Sequence, residues 1–409
     1  MLWSLVFVLT AAAAFNAPAA EISMLEQLGK ALFFDTGLSD PPGQSCASCH
    51  APQAGWSGPD SKVNATLAVY AGVVHGRFGN RKPPSAAYAT PGPVLQFDEE
   101  ERIFTGGLFW DGRATGWLLG LPAADQAQDP FVNPLEQNNK RASNVVRKVC
   151  AGAYAELFRG VFGSAICNKP IAAYNAIAQA IAAFEASPEV NAFSSRYDYY
   201  LREPDKYPLS DQERLGLKLF EDADKGNCAA CHPSQVGPNG EPPLFTDFTF
   251  DNLGVPRNPQ NPWYAMGKAF NPAGVAWVDE GLGGFLRTVP RYAEHTRNTL
   301  GKQRVPTLRN VDKRPDPTFV KAYGHNGYFK SLKAITHFYN TRDVLPACEG
   351  LADARPNENC WPAAEVAANV NEDELGDLGL TDAEEDAIVA FMKTLSDGWQ
   401  PPRPLSSAP

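Results

Sequence analysis

Apolar residues fall at Ile171, Tyr174, Ile177, Ile181 and Phe184. That spacing of three and four predicts a helix with one buried face. Within it, Ala180-Ile181-Ala182-Ala183-Phe184 has a counterpart two hundred residues on, Ala387-Ile388-Val389-Ala390-Phe391. The second run follows Thr381 and Glu384, a hydroxyl and a carboxylate spaced to cap a helix start reciprocally. Ser210 and Glu213 form the same box ahead of another apolar run. Alternation of period two is scarce; Phe245–Phe250 is the best strand candidate, and it is short. The pattern predicts a mainly α protein with long loops.

The chain is internally duplicated. Leu28-Gly29-Lys30-Ala31-Leu32-Phe33-Phe34-Asp35 precedes Cys46-Ala47-Ser48-Cys49-His50, and Leu215-Gly216-Leu217-Lys218-Leu219-Phe220-Glu221-Asp222 precedes Cys228-Ala229-Ala230-Cys231-His232. Each half thus reads L-G-x-x-L-F-x-D, a loop, C-A-x-C-H and a closing helix. Pro188, Pro204 and Pro208 interrupt the pattern over residues 188–209. The expectation is two tandem helical domains, 21–200 and 201–409, after a leader at 1–20.

That leader holds no charged side chain. It reads as an apolar run from Leu2 to Phe15 and then Asn16-Ala17-Pro18-Ala19-Ala20, the shape of a cleaved secretory signal. The run is shorter than the ~20 residues a membrane span needs. Export to the periplasm is therefore expected, with no membrane span after cleavage. Composition agrees with a packed protein: 44% hydrophobic and 20% charged residues, with 34 glycines and 35 prolines in a loop-rich chain of 409. The net charge of −10 argues against nucleic acid as a partner. Of eight cysteines, four lie outside the repeated motifs as local pairs, Cys150/Cys167 and Cys348/Cys360. In an exported chain these are disulfide candidates, the local pairing being the simplest of three.

Cys-x-x-Cys-His has a mechanical meaning. Two thiols form thioethers to the vinyl groups of haem, and the histidine one residue on faces the iron as axial ligand. A redox dithiol followed by a chance histidine would not repeat after the same helix, and a zinc site would need all four cysteines to converge. Two haem c groups follow, with Cys46, Cys49, His50 and Cys228, Cys231, His232 as attachment and axial residues. The opposite ligands decide between electron transfer and peroxide chemistry.

Further segments carry a resemblance. Phe109-Trp110-Asp111-Gly112-Arg113-Ala114, then Gln126, Pro130 and Asn133-Pro134-Leu135-Glu136, then Val305-Pro306-Thr307-Leu308-Arg309-Asn310, and His325-Asn326-Gly327 with Tyr339 fourteen residues after His325, resemble the bacterial di-haem cytochrome c peroxidase/MauG family over nearly all of the mature chain. The resemblance implies that hydrogen peroxide reacts at the His50 haem to form high-valent haem, and that the His232 haem stores and passes charge. It implies Glu136 as the proton-transferring carboxylate, Gln126 beside it, and Trp110 as an electron relay between haems. Tyr339 stands where the MauG-like branch has a tyrosine ligand to the second iron; His337 and Met266 are its rivals. His75, in a glycine-rich loop, is a candidate gate on the first haem. Calcium is implied between the domains, although Asn80-Arg81-Lys82-Pro83-Pro84 is altered from the family's asparagine segment and the carbonyl positions fall at Val320 and Ala322. The implied partner is a small cytochrome or cupredoxin donor, or a protein substrate oxidised at tryptophan. A plain di-haem electron carrier is the alternative from another class. The acidic run Asp98–Glu101 reads as a solvated loop.

Overall fold

The computed structural model describes residues 22–402, so the expected leader at 1–20 lies outside the described residues. Within them are twelve α-helices: α1 (Met24–Phe34), α2 (Ser61–Ala65), α3 (Pro122–Val132), α4 (Ala142–Ala151), α5 (Ala155–Phe162), α6 (Pro170–Ala186), α7 (Arg196–Arg202), α8 (Asp211–Glu221), α9 (Gly281–Leu286), α10 (Thr296–Thr299), α11 (Leu332–Thr341) and α12 (Asp382–Lys393). Strand is confined to two antiparallel pairs, β1 (Gln96–Asp98) with β2 (Ile103–Thr105) and β3 (Phe250–Asp251) with β4 (Gln303–Arg304). The fold is mainly α. No helix among the described residues is long and apolar enough to cross a membrane.

Each L-G-x-x-L-F helix crosses its own half's closing helix, α1 on α6 and α8 on α12. The glycine makes the crossing possible. A Cβ on Gly29 would stand 1.9 Å from the Ala180 carbonyl oxygen and 2.8 Å from Phe184 Cβ; on Gly216 it would stand 1.9 Å from Ala387 O and 2.9 Å from Phe391 Cβ. The helix starts are built alike as well. Ser210 and Thr381 cap α8 and α12 in the reciprocal boxes the sequence predicts. Ser23 and Glu26 do the same for α1, so the repeated unit begins one turn earlier than Leu28.

The buried side chains form one large cluster from Leu28 to Val190, centred on Phe33, Phe158 and Phe184, and another from Tyr197 to Leu395, centred on Phe220, Phe338 and Phe391. Both expected disulfides are present, Cys150–Cys167 and Cys348–Cys360. Two local expectations differ from the structure. Ile171 is 82% exposed at the first turn of α6, so the buried face runs from Ile177 through Ile181 to Phe184. Phe245 and Phe248 have φ of 54° and 62°, a left-handed backbone that no strand tolerates, and pairing begins only at Phe250.

Candidate active site: two histidine-ended cavities

Each Cys-x-x-Cys-His motif closes a single 3-10 turn, Cys46–Ser48 and Cys228–Ala230. The backbone of His50 donates to Cys46 O at 3.0 Å, and that of His232 to Cys228 O at 2.9 Å. Both histidine rings are fixed from behind. His50 Nδ1 lies 3.0 Å from Pro84 O, and His232 Nδ1 lies 2.8 Å from Phe245 O. A carbonyl can only accept, so Nδ1 carries the proton and Nε2 keeps its lone pair free for a metal. Burial pushes both imidazoles down to about 4, which keeps them in the neutral form that ligation needs. The left-handed turn at Phe245 earns its place here, since it aims that residue's carbonyl at His232.

The carbonyl partners are themselves held. Ser85 Oγ donates to Gly55 O at 2.9 Å, which anchors the Pro84 segment. On the other side, Thr307 Oγ1 donates to Leu244 O at 2.6 Å, and Arg309 donates to Pro243 O at 2.7 Å. Arg309 also forms a fully buried two-pronged pair with Asp198 at 3.0 and 2.9 Å. The Pro-Thr-Leu-Arg-Asn segment is thus a brace for the His232 loop.

The two histidines face separate cavities of about 1120 Å³ and 1750 Å³ of open space, mouths included. The His50 cavity is lined by Cys46, Cys49, Gln126, Pro130, Glu136 and Arg113, and the His232 cavity by Cys228, Cys231 and Tyr339. All four motif cysteines are unpaired. Burial raises each thiol, Cys49, Cys228 and Cys231 to about 12, the opposite of the lowered thiol in a redox dithiol. Buried polar atoms without a partner point the same way: Gln44 Oε1 and Gln137 Oε1 belong to side chains lining the first cavity, and His325 Nε2 to one lining the second. Paired thiols, a free Nε2 and a large cleft in each half fit a covalently attached haem.

A scan against family models matches residues 23–206 to the di-haem cytochrome c peroxidase family. The methylamine utilization protein MauG of Paracoccus denitrificans is 33% identical over 377 residues, 91% of this chain and 88% of that protein. The chain belongs to the di-haem cytochrome c peroxidase/MauG family. The cytochrome c551 peroxidase of Pseudomonas aeruginosa is 33% identical over 209 residues, 50% of this chain and 49% of that one. Among solved structures, the diheme peroxidase BthA from Burkholderia thailandensis superposes with a TM-score of 0.72 at 33% identity, covering 91% of this chain and 86% of that chain. By family the chain is an oxidoreductase acting on peroxide with haem as its cofactor.

Within this family's frame, each site residue named from sequence has a definite place. Glu136 accepts from Asn133 Nδ2 at 2.9 Å, and burial raises its carboxyl, with Arg113 opposing and Asp129 adding to the shift. Gln126 lines the same cavity, so the long stretch after Trp110 does not carry it away. That stretch turns back at Gly116–Gly120, pinned by Trp117 Nε1 donating to Leu95 O at 2.9 Å. Trp110 is 8% exposed and lines both cavities, its Nε1 donating to Lys82 O at 2.8 Å. Burial raises the Tyr339 phenol. Its rivals stand elsewhere. His337 Nδ1 is 2.9 Å from Glu385 Oε1 on α12, and neither His337 nor Met266 lines either of these two cavities. His75 is exposed and outside the lining of the His50 cavity.

Sequence reasoning gave no site role to Arg81 or Lys321, and read Lys82 only as a disturbance of the calcium segment. Buried Arg81 holds Asp279 with two bonds of 2.7 and 2.6 Å and Asp111 with one of 2.6 Å, so it fastens the turn that carries Trp110 to a segment in the second half. The one available signal was a basic pair set between Asn80 and two prolines.

Proposed function

We propose that the chain is a periplasmic di-haem c-type peroxidase, with domains 21–200 and 201–409, in which peroxide is cleaved in the His50 cavity and electrons are drawn from a protein partner through the His232 half. The observation that carries this reading is the unequal lining of two otherwise matched cavities. One is lined by a half-buried carboxyl and an amide; the other by a phenol. When bound, haem supplies the iron at which the O–O bond is broken and the oxidising equivalents are held.

The chain's residues do the rest. Cys46, Cys49, Cys228 and Cys231 would form the thioethers to haem, and His50 and His232 would present Nε2 to its iron. Glu136 takes a proton from the near oxygen of peroxide and delivers it to the leaving oxygen, so that water departs. Gln126 orients peroxide through its amide. Trp110, shared by both cavities, carries the electron between them. Tyr339, which lines the second cavity, would serve as an oxygen ligand there, a role that favours oxidised iron. That preference suits the removal of electrons from a tryptophan of a protein substrate; a small cytochrome or cupredoxin donor is the other partner class.

The test is rapid mixing of ferric holoprotein with peroxide. A new absorption spectrum within the mixing time, slowed by Glu136→Gln, is expected. No spectral change in the wild type would leave a plain electron carrier.

A further inference from the structure

Two lysines, half-buried Lys82 and buried Lys321, line the cavities. Lys82 lines both cavities, and its Nζ stands 5.8 Å from the centre of the Trp110 ring. Among the described residues it has no carboxylate partner, and its Nζ donates to Pro83 O at 3.2 Å. Lys321 lines the His232 cavity, and its Nζ donates to three backbone carbonyls, Ala54 O at 2.8 Å, Lys313 O at 2.8 Å and Asn310 O at 3.2 Å. Three acceptors around one nitrogen call for three N–H bonds, which an ammonium has and a neutral amine lacks. The three carbonyls come from both halves of the chain, in the way carbonyls gather around a hard cation. Of the two carbonyls implied for calcium, Val320 O already accepts from Asn64 Nδ2 at 3.0 Å, and Lys82, whose ammonium has N–H donors and no lone pair for a cation, stands two residues from Asn80.

We propose that the Lys82 and Lys321 ammonium groups are the fixed cation between the two haem cavities, and that this chain binds no divalent cation there. The inference rests on the two-cavity reading above. A tethered ammonium does what a bound cation does electrostatically, since it favours added electrons at both irons and makes loss of an electron from the Trp110 ring harder. It differs in one respect: no chelator can remove it. Burial and the neighbouring ammonium push Lys321 down to about 7, and burial pushes Lys82 down to about 8, so the positive charge on both is fullest below about pH 7.

The test uses the purified holoprotein. Calcium content by mass spectrometry is expected to be far below one per chain, and neither a chelator nor added calcium should move the haem absorption or the two reduction potentials. One calcium per chain, or potentials that shift on chelation, overturns the proposal. The second arm is Lys82→Met against Lys82→Arg, read by spectroelectrochemical titration. Loss of the charge should lower the potential of both haems, and arginine should hold it near the wild-type value. Unmoved potentials in Lys82→Met sink the electrostatic role even if peroxide still reacts. A chain that loads both haems but ignores peroxide sinks the peroxidase reading and leaves the calcium and potential measurements to decide this one.

Discussion

The two halves of the chain share a scaffold and differ in what faces the open side of each cavity. A glycine crossing, a 3-10 turn carrying the cysteines, and a histidine braced by a backbone carbonyl occur in both. Beyond that the halves part. Glu136 and Gln126 line one cavity and Tyr339 the other. Even the repeat diverges at one telling position: the residue after the matched Ala-Ile-x-Ala-Phe run is Glu185 in the first half and Met392 in the second, and each lines its own cavity. A duplicated fold therefore supplies the same cysteine- and histidine-bearing turn twice, while the other side chains lining each cavity differ in their chemistry.

The largest test of that difference is Glu136→Gln. General acid–base help of this kind contributes on the order of 10²–10⁴ in rate, so the first peroxide step should slow by about that much while both haems stay attached. The wild-type pH profile gives the sign. Glu136 must be ionised to accept the proton, and burial raises its carboxyl. The rate should fall on the acid side through a pKa above the usual carboxylate range, and the glutamine variant should lose that limb. A flat acid side in the wild type removes Glu136 from the role.

Next come the crossings. Gly29→Ala and Gly216→Ala each drive a methyl to 1.9 Å from a carbonyl oxygen of the partner helix. Overpacking at rigid backbone should destabilise each half by about 3 kcal/mol. Denaturant unfolding followed separately at the two haem bands should show each variant weakening its own half first. Equal losses at both bands would mean that the halves unfold as one unit.

How much of this was legible in the sequence follows from the range of the interactions. The cysteine motifs, the capping boxes at Ser210 and Thr381, and the glycine-led helices are local, with geometry set within a few residues, and they read directly. The disulfides closed as local pairs. What escaped was long-range or paired. Arg81 meets Asp279 198 residues away. Lys321 finds its carbonyls at Ala54, Asn310 and Lys313 only through the fold. Phe245 looked like a strand residue because its hydrophobicity suits one, whereas its backbone turns left-handed to serve His232.

A more selective change is Tyr339→Phe. Loss of an oxygen ligand should alter the absorption and raise the reduction potential of the His232 haem. The rate of the first peroxide reaction at the other haem should hardly move. If neither haem's spectrum responds, the second iron takes its ligand from elsewhere, and the contrast between the two cavities rests on Glu136 and Gln126 alone.

The smallest effect expected is at the divergent repeat position. Burial raises the Glu185 carboxyl from 4.5 to about 8. The folded chain therefore holds a proton there between about pH 4.5 and pH 8 that the unfolded chain releases, so this residue makes stability fall as pH rises through that window. Glu185→Met, which copies the second half, should remove the slope. The variant should match the wild type near pH 4.5 and exceed it near pH 8 by on the order of 4 kcal/mol, as urea unfolding at the His50 haem band would report. Glu185→Gln should flatten the slope too, but with less gain, because its amide stays a buried polar group. A methionine variant less stable than the wild type at every pH would mean that the carboxyl makes a contact the methionine cannot replace, and that the two cavities differ in packing as well as in charge.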